Sequence, residues 1–278
     1  MILTEDVKVF EREHHHYDIS IEKWAVPKPH GISGVFRLRN EEQFMEAAVL
    51  SHLPWLDQAV LVVQPSEDRT EEIAYSLRAA HRDKIKIVHY PFPLHPAGSP
   101  EQKSAPDNSV YTLMHMTNWG ISQCDYSWVA KIEGDVIGLS TFQNIREVVD
   151  ADPNAIRYYG RVGLNLAGEK ADHISFTNPR NAGYDEAVFS NHPTFHCING
   201  GVWESMNIHD NRPLLRCMGW SFLHLKRVKH GRTAGIERWT AFTPENLRRA
   251  LIEYNAKHPY PGLDSPTGEP CLFERNFI

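Results

Sequence analysis

The stretch Trp128-Val-Ala-Lys-Ile-Glu-Gly-Asp135 decides how the rest of the chain is read. It begins as a short, mostly apolar run and ends in two carboxylates separated by one glycine. Such a run reads as a buried strand. Carboxylates at a strand's exposed end suit a hard divalent cation, because Mg²⁺ and Mn²⁺ take oxygen ligands and keep positions open for substrate phosphates. That chemistry fits a nucleoside-diphosphate group. A strand followed by an acidic turn facing water would use the same residues, so the neighbouring sequence has to choose between the two.

Upstream, the pattern is regular from Gly31. A β-type run spans Ile32–Leu38, and a helix is expected from about Glu41 to Leu53, with Phe44, Ala47 and Ala48 on one face. A second apolar run, Ala59–Val63, leads into Ser66-Glu-Asp-Arg-Thr70, where Ser66, Asp68 or Thr70 can cap a helix carrying Ile73, Ala74 and Leu77. Ile85–His89 reads as a third strand. Strands alternating with helices at this spacing predict right-handed βαβ crossovers and a mainly parallel sheet covered on both faces. Ligands of such sheets bind beyond the carboxyl ends of the strands. Val63 and Ile132 both end strands, so Ser66–Thr70 and Glu133–Asp135 should converge on one edge.

The proline-rich segment Pro91–Pro106 reads as a long surface loop without helix. A helix from about Val110 to Cys124 leads into the metal-candidate strand, and Thr141–Asp150 forms the helix after it. Beyond a strand at Ala155–Val162 the chain reads as irregular polar loops through about Asp210, the kind of surface that carries function in a compact domain. Thr243 and Pro244 start a last helix bearing Leu247, Ala250, Leu251 and Tyr254, which stops before Pro259. Residues 1–30 read as an N-terminal extension with a short strand at Tyr17–Ile21. Its adjacent His14, His15 and His16 would point in different directions on any regular element, so a solvated segment is the reading.

Composition narrows the function classes. The chain has 278 residues, 41% hydrophobic and 23% charged, which describes a folded protein of one large domain. Its net charge of −6 gives no overall attraction to nucleic acid. No apolar run approaches the roughly 20 residues that span a bilayer, and the first residues lack a basic segment followed by an apolar one. A cytoplasmic protein without a transmembrane segment is expected, with peripheral membrane association left open. Cys124, Cys197, Cys217 and Cys271 are widely scattered and form no Cys-x-x-Cys pair, so neither a zinc knuckle nor a disulfide framework is indicated. His192 and His196 have zinc-like helical spacing, but Pro193 argues against a helix there.

Four segments in order, Phe36-Arg-Leu-Arg-Asn-Glu-Glu42, Val62-Val-Gln-Pro-Ser-Glu-Asp-Arg-Thr70, Asn118-Trp-Gly-Ile-Ser122 and Trp128–Asp135, resemble the family 2 glycosyltransferases and related enzymes of the GT-A fold. The resemblance covers about Gly31 to Leu139 and fades beyond. It implies an α/β GT-A domain over residues 31–278: a Rossmann-like nucleotide-sugar-binding half, 31–139, with a mainly parallel central sheet, and an irregular acceptor-binding half, 140–278. It further implies transfer of a sugar from a nucleotide-diphosphate sugar donor to a hydroxyl of a glycan or glycoconjugate acceptor, with Mn²⁺ or Mg²⁺ as cofactor, in glycan or surface-polysaccharide biosynthesis. Two departures stand out: Gln64 occupies a position that is often acidic in the family, and the first carboxylate of the metal motif is Glu133 rather than Asp.

The resemblance makes Asp135 the first metal ligand and Glu133 the second, the latter also within reach of the ribose. Asp68 and Ser66 resemble a loop that holds the nucleoside, with helix capping as their other role. Arg39 and Asn40 are candidates to contact the nucleotide, and Asn40 can instead cap the helix after it. His224, in Gly219-Trp-Ser-Phe-Leu-His224, resembles a late histidine that completes the metal set, and Lys226 opens a basic cluster able to close over the diphosphate. Inversion requires a carboxylate to take the acceptor's proton. Glu204 and Asp210 are the candidates, Glu204 first because Asn199-Gly-Gly-Val-Trp-Glu204 resembles an acceptor-facing loop; Asp185 and Glu186 lie earlier. Inversion is the expected outcome and retention stays open. The rival readings are a nucleotidyltransferase acting on sugar phosphates, a non-catalytic carbohydrate-binding protein and a metal-dependent hydrolase.

Overall fold

A computed structural model describes residues 15–106, 108–138, 142–151, 158–160, 163–170, 173–177, 187–200, 204–208, 215–216 and 222–225. The strands are β1 Ile32–Leu38, β2 Gln58–Val63, β3 Ile85–His89, β4 Trp128–Glu133, β5 Val136–Gly138, β6 Tyr158–Gly160, β7 Gly163–Lys170, β8 His173–Thr177, β9 Ala187–Ser190, β10 Phe195–Asn199, β11 Glu204–Ile208, β12 Leu215–Arg216 and β13 Phe222–His224. The helices are α1 Ile21–Trp24, α2 Met45–His52, α3 Thr70–Ala80, α4 Pro100–Ser104, α5 Leu113–Ser122 and α6 Phe142–Ala151.

The central sheet runs β12-β6-β9-β4-β1-β2-β3. Its β4-β1-β2-β3 block is wholly parallel, and β9 joins β4 antiparallel. The chain lays down β1, β2 and β3 in one direction and then places β4 on the other side of β1. That reversal opens a crevice at the carboxyl ends of β1 and β4. This is the α/β class with a mainly parallel central sheet that the alternation of elements predicts.

The alternating side chains of β1 divide the core into two faces. Phe36 and Leu38 pack with Met45, Val49 and Leu77 beneath α2 and α3. Val35 packs on the other face with Val62, Val129 and Trp119 beneath α5. Both faces are covered, which is why β1 and β2 are buried along their whole length rather than at every second residue. A smaller sheet, β5-β13-β7-β8, takes over where β4 ends, with β13 antiparallel to β5 and parallel to β7.

Three expectations are corrected. The proline-rich segment does hold a helix: Pro100 sits in the first turn of α4, where a missing N–H costs nothing, and the Ser99 side chain accepts from Gln102 N–H. Between 163 and 208 the described residues include the strands β7 to β11 where loops were expected; partner strands supply the hydrogen bonds that this polar, Asn- and Gly-containing sequence does not advertise. Tyr17–Ile21 is no strand. Ser20 caps α1 by accepting from Lys23 N–H, the Trp24 side chain is buried, and Tyr17 packs edge-on against Phe92 with centroids 4.8 Å apart. The helix expected from Thr243 lies outside the described residues.

Gly120 lets α5 lie close on the sheet. A Cβ there would meet Val62 Cγ2 at 2.8 Å and Val35 Cγ1 at 3.1 Å, both in the fully buried core. Replacing a helix-interior glycine by alanine gains roughly 0.5–1 kcal/mol, whereas overpacking a core costs about 1–3 kcal/mol. Gly120→Ala is therefore expected to be destabilised by about 1 kcal/mol in urea unfolding; increased stability would show that α5 can back away from the sheet.

Candidate metal centre and its buried charge network

Glu133 is the last residue of β4 and stands directly beside Arg37 of β1 in the parallel register. Gly134 then turns the chain. A Cβ there would lie 2.7 Å from Glu41 Cγ and 2.8 Å from Leu38 Cδ2, so a glycine lets the turn press against the start of the loop after β1. Asp135 follows, its side chain buried, and its carbonyl accepts from Leu225 N–H at 2.9 Å. That bond, with the pairing of Val136 opposite His224, brings a residue some ninety positions downstream against the β4–β5 turn.

One ligand atom each from Glu133, Asp135 and His224 lies within 4.8 Å of the others. His224 Nε2 is 3.2 Å from Glu133 Oε2 and 3.4 Å from Asp135 Oδ1, yet it is buried and makes no hydrogen bond of acceptable geometry. Burial disfavours the imidazolium, but the Asp135 and Glu133 carboxylates more than compensate and raise His224 to about 10. On Glu133, burial works against the charged form, and His224, Arg37 and Lys131 together hold its carboxyl well below the ordinary range. A buried ring nitrogen facing two carboxylate oxygens offers ligand atoms that could hold a divalent cation, and the residues fit one. Asp135 is nearly closed off, with a side chain 3% exposed, while Glu133 keeps 30% and forms the open side of the cluster.

Behind this cluster Glu204, the expected proton acceptor, meets two cations, Arg37 and Lys131, that the sequence does not mark as site residues. Arg37 Nη2 donates to Glu133 Oε1 at 2.7 Å, and Arg37 Nη1 donates to Glu204 Oε1. Lys131 Nζ donates to the same Glu204 oxygen at 2.7 Å, and Thr117 Oγ1 donates to Glu204 Oε2 at 2.9 Å. The Glu204 side chain is 8% exposed. Burial pushes its carboxyl up, but Arg37 and Lys131 outweigh that and hold it at about 2. The visible signal in the sequence was one cation inside each of two mostly apolar strands, Arg37 in β1 and Lys131 in β4.

Asn118 makes a two-way link: its Nδ2 donates to Cys197 O at 2.9 Å and its Oδ1 accepts from Cys197 N–H at 2.7 Å. This ties the β10–β11 hairpin, and with it Glu204, to α5. Cys197 and Cys124 are buried thiols, each pushed up to about 12 by burial.

The loops after β1 and β2 do meet at the same edge. Asn40 adopts a left-handed φ of 54°, which asparagine tolerates better than most residues. Its N–H donates to Ser66 Oγ at 3.1 Å, and its Oδ1 accepts from Glu67 N–H at 2.9 Å, so it bridges loops rather than capping a helix. Asp68 accepts from Glu42 N–H and Thr70 N–H, both at 3.0 Å. Burial opposes its charge, yet the bonds from Thr70 and Glu42 win and its carboxyl lies below the ordinary value. Arg39 is exposed at this edge. Asp210, Lys226, Asp185 and Glu186 lie outside the described residues.

Two measurements check this geometry. Glu204 has a folded-state value of about 2 against an ordinary 4.5, so its contribution is fully present above 4.5 and lost as pH falls from 4.5 towards 2. Glu204→Gln should lose roughly 3 kcal/mol at neutral pH and show a flatter decline in stability across that acid window than the parent. Asp68→Ala should lose about 1 kcal/mol, the scale of a lost cap, in chemical unfolding; an unchanged midpoint would mean that the two loops do not depend on this carboxylate.

No family model and no curated protein sequence matches the chain. Solved structures do resemble it. The chain is 11% identical to S. aureus TarS with a TM-score of 0.45, an alignment covering 81% of this chain and 39% of that one. Against TarS residues 1–349 the figures are the same except that 64% of the other chain is covered. Glucosyl-3-phosphoglycerate synthase from Mycobacterium tuberculosis, in complex with Mn²⁺, uridine-diphosphate and phosphoglyceric acid, is 16% identical with a TM-score of 0.35, covering 58% of this chain and 56% of that one. This chain thus spans less than two thirds of each of these three. The fold assignment stands on the strand order itself.

Proposed function

We propose that the protein is a metal-dependent GT-A glycosyltransferase that moves a sugar from a nucleotide-diphosphate donor to a hydroxyl of a glycan or glycoconjugate acceptor. The observation that carries this reading is the meeting of Glu133, Asp135 and His224 at the reversal point of a mainly parallel sheet. Two carboxylates and an imidazole at that edge suit Mn²⁺ or Mg²⁺. When bound, the cation supplies positive charge against the oxygens of a departing diphosphate, the kind of electrostatic term that usually dominates catalysis.

The residues divide the work. Asp135, buried at the base of the cluster, anchors the cation together with His224, and the more open Glu133 serves the cation and the ribose side. Asn40, Ser66 and Asp68 hold the loops that frame the nucleoside, with exposed Arg39 beside them. Lys226, next to the His224 strand in sequence, is assigned to the diphosphate. A carboxylate at about 2, held by two cations, is a weak proton acceptor, so Glu204 is assigned to holding those cations and the acceptor's proton to Asp210. Inversion, a cytoplasmic location and a place in surface-polysaccharide biosynthesis complete the proposal. Among the described residues no helix is long and apolar enough to cross a membrane, and association with a membrane surface is compatible with that.

A panel of nucleotide-sugars incubated with Mn²⁺ or Mg²⁺ tests the proposal. The parent should release nucleoside diphosphate and sugar, and Asp135→Ala should lower turnover at least about a hundredfold, the scale of removing one preorganised charge-stabilising group. Metal-independent turnover that survives the substitution would overturn the mechanism. Formation of nucleotide-sugar and pyrophosphate from a sugar phosphate and a nucleoside triphosphate would replace it with the nucleotidyltransferase reading.

A further inference from the structure

We infer that Arg37 is a positioning residue for the cation site, and that Glu204 on the β10–β11 hairpin is what holds Arg37 in that role. The inference rests on the reading of Glu133, Asp135 and His224 as a metal centre.

The geometry distinguishes the two oxygens of Glu133. Oε1 receives Arg37 Nη2 at 2.7 Å, which leaves Oε2 turned to His224 Nε2 at 3.2 Å. A free glutamate at a strand end, with three rotatable bonds and a side chain 30% exposed, would sample many orientations. The guanidinium removes that freedom because its planar fork engages one carboxylate through each terminal nitrogen. One nitrogen meets Glu133 and the other meets Glu204, so the plane of Arg37 is set from behind by a residue that does not touch the cluster.

Glu204 is itself over-determined: Lys131 and Thr117 fix its two oxygens, and Asn118 fixes the neighbouring strand β10 at Cys197. The chain of contacts therefore runs from the hairpin through Arg37 to the ligand oxygen. Charge follows the same path. Glu133, Asp135 and Glu204 carry three negative charges and Arg37 and Lys131 two positive ones, leaving one negative charge with His224 neutral, as a metal ligand must be. A divalent cation reverses that excess, and the reversed charge favours an anionic diphosphate. Outer residues that orient metal ligands characteristically set affinity by one to two orders of magnitude.

Two charge-preserving substitutions separate positioning from mere support of the fold. Arg37→Lys keeps the cation and loses the fork. Glu204→Asp keeps the anion but is one methylene short of reaching Arg37 and Thr117 together. Mn²⁺ binding to the 278-residue chain, without donor, is followed by the loss of the free-ion electron paramagnetic resonance signal, and melting temperature is recorded in parallel. Arg37→Lys should weaken Mn²⁺ binding roughly ten- to a hundredfold, and Glu204→Asp should weaken it in the same direction by less. Leu77→Ala, a core truncation on the buried face of α3, should lower the melting temperature and leave Mn²⁺ affinity unchanged. Should Arg37→Lys not fold, Glu204→Asp carries the same test through Arg37. Parent-like Mn²⁺ affinity in a folded network variant would overturn the positioning role and leave the cation site standing. Absence of Mn²⁺ binding by the parent would remove the cation site, and the inference with it.

Discussion

The Arg37 guanidinium, buried between Glu133 and Glu204, is the constraint around which this site is arranged. A charge taken out of water in the middle of a sheet is tolerated only with close, well-directed partners, and removing one partner leaves the others uncompensated. Arg37 satisfies that condition with one carboxylate from the neighbouring strand β4 and one from a hairpin far along the chain. Lys131, one row back on β4, draws on the same Glu204 oxygen. The network is weak evidence of stability in itself, since apolar residues of the same volume often serve a core as well. Its effect is on arrangement: it ties the end of β4, the helix α5 and the start of β11 into one relative position.

The parallel sheet makes that arrangement available. Placing β4 beside β1 aligns Arg37 with Glu133 and Val35 with Lys131, so both cations fall on the face covered by α5. The opposite face is filled by Phe36, Leu38 and Ile132 and carries none of this charge. The strand reversal leaves the carboxyl ends of β1 and β4 without a crossover passing over them. Acidic residues there can approach one another because Arg37 and His224 stand between them.

What the sequence revealed depended on how local the cause was. The strands β1 to β4 were legible because burial on both faces favours mostly apolar runs, and helix α3 because capping-type residues precede a periodic face, while α5 and α6 were placed as the segments flanking β4. The strands β7 to β11 were not, since their polar residues form strands only once partners are present. Residues 17–24 looked like an extension because no local pattern tells that Tyr17 and Trp24 enter a core layer beside Tyr90, Phe92 and Trp119. Within the site, Glu133, Asp135 and His224 were named from strand-end position and resemblance, and the fold brings their side chains together. Arg37 and Lys131 were visible as charges in apolar strands, but their meaning required knowing that the two strands are neighbours.

By itself, the sequence determined the alternation of elements, the parallel core of the sheet and the placement of acidic groups at one edge, because these follow from short-range periodicity and from residue chemistry at strand ends. Only the tertiary structure decided which acids meet and what each does. Glu204 and Asp135 carry the same functional group, yet one is held by two cations deep beside the sheet and the other faces an imidazole at the crevice. Environment, supplied by residues distant in sequence, sets which partners each carboxylate meets and how it is oriented.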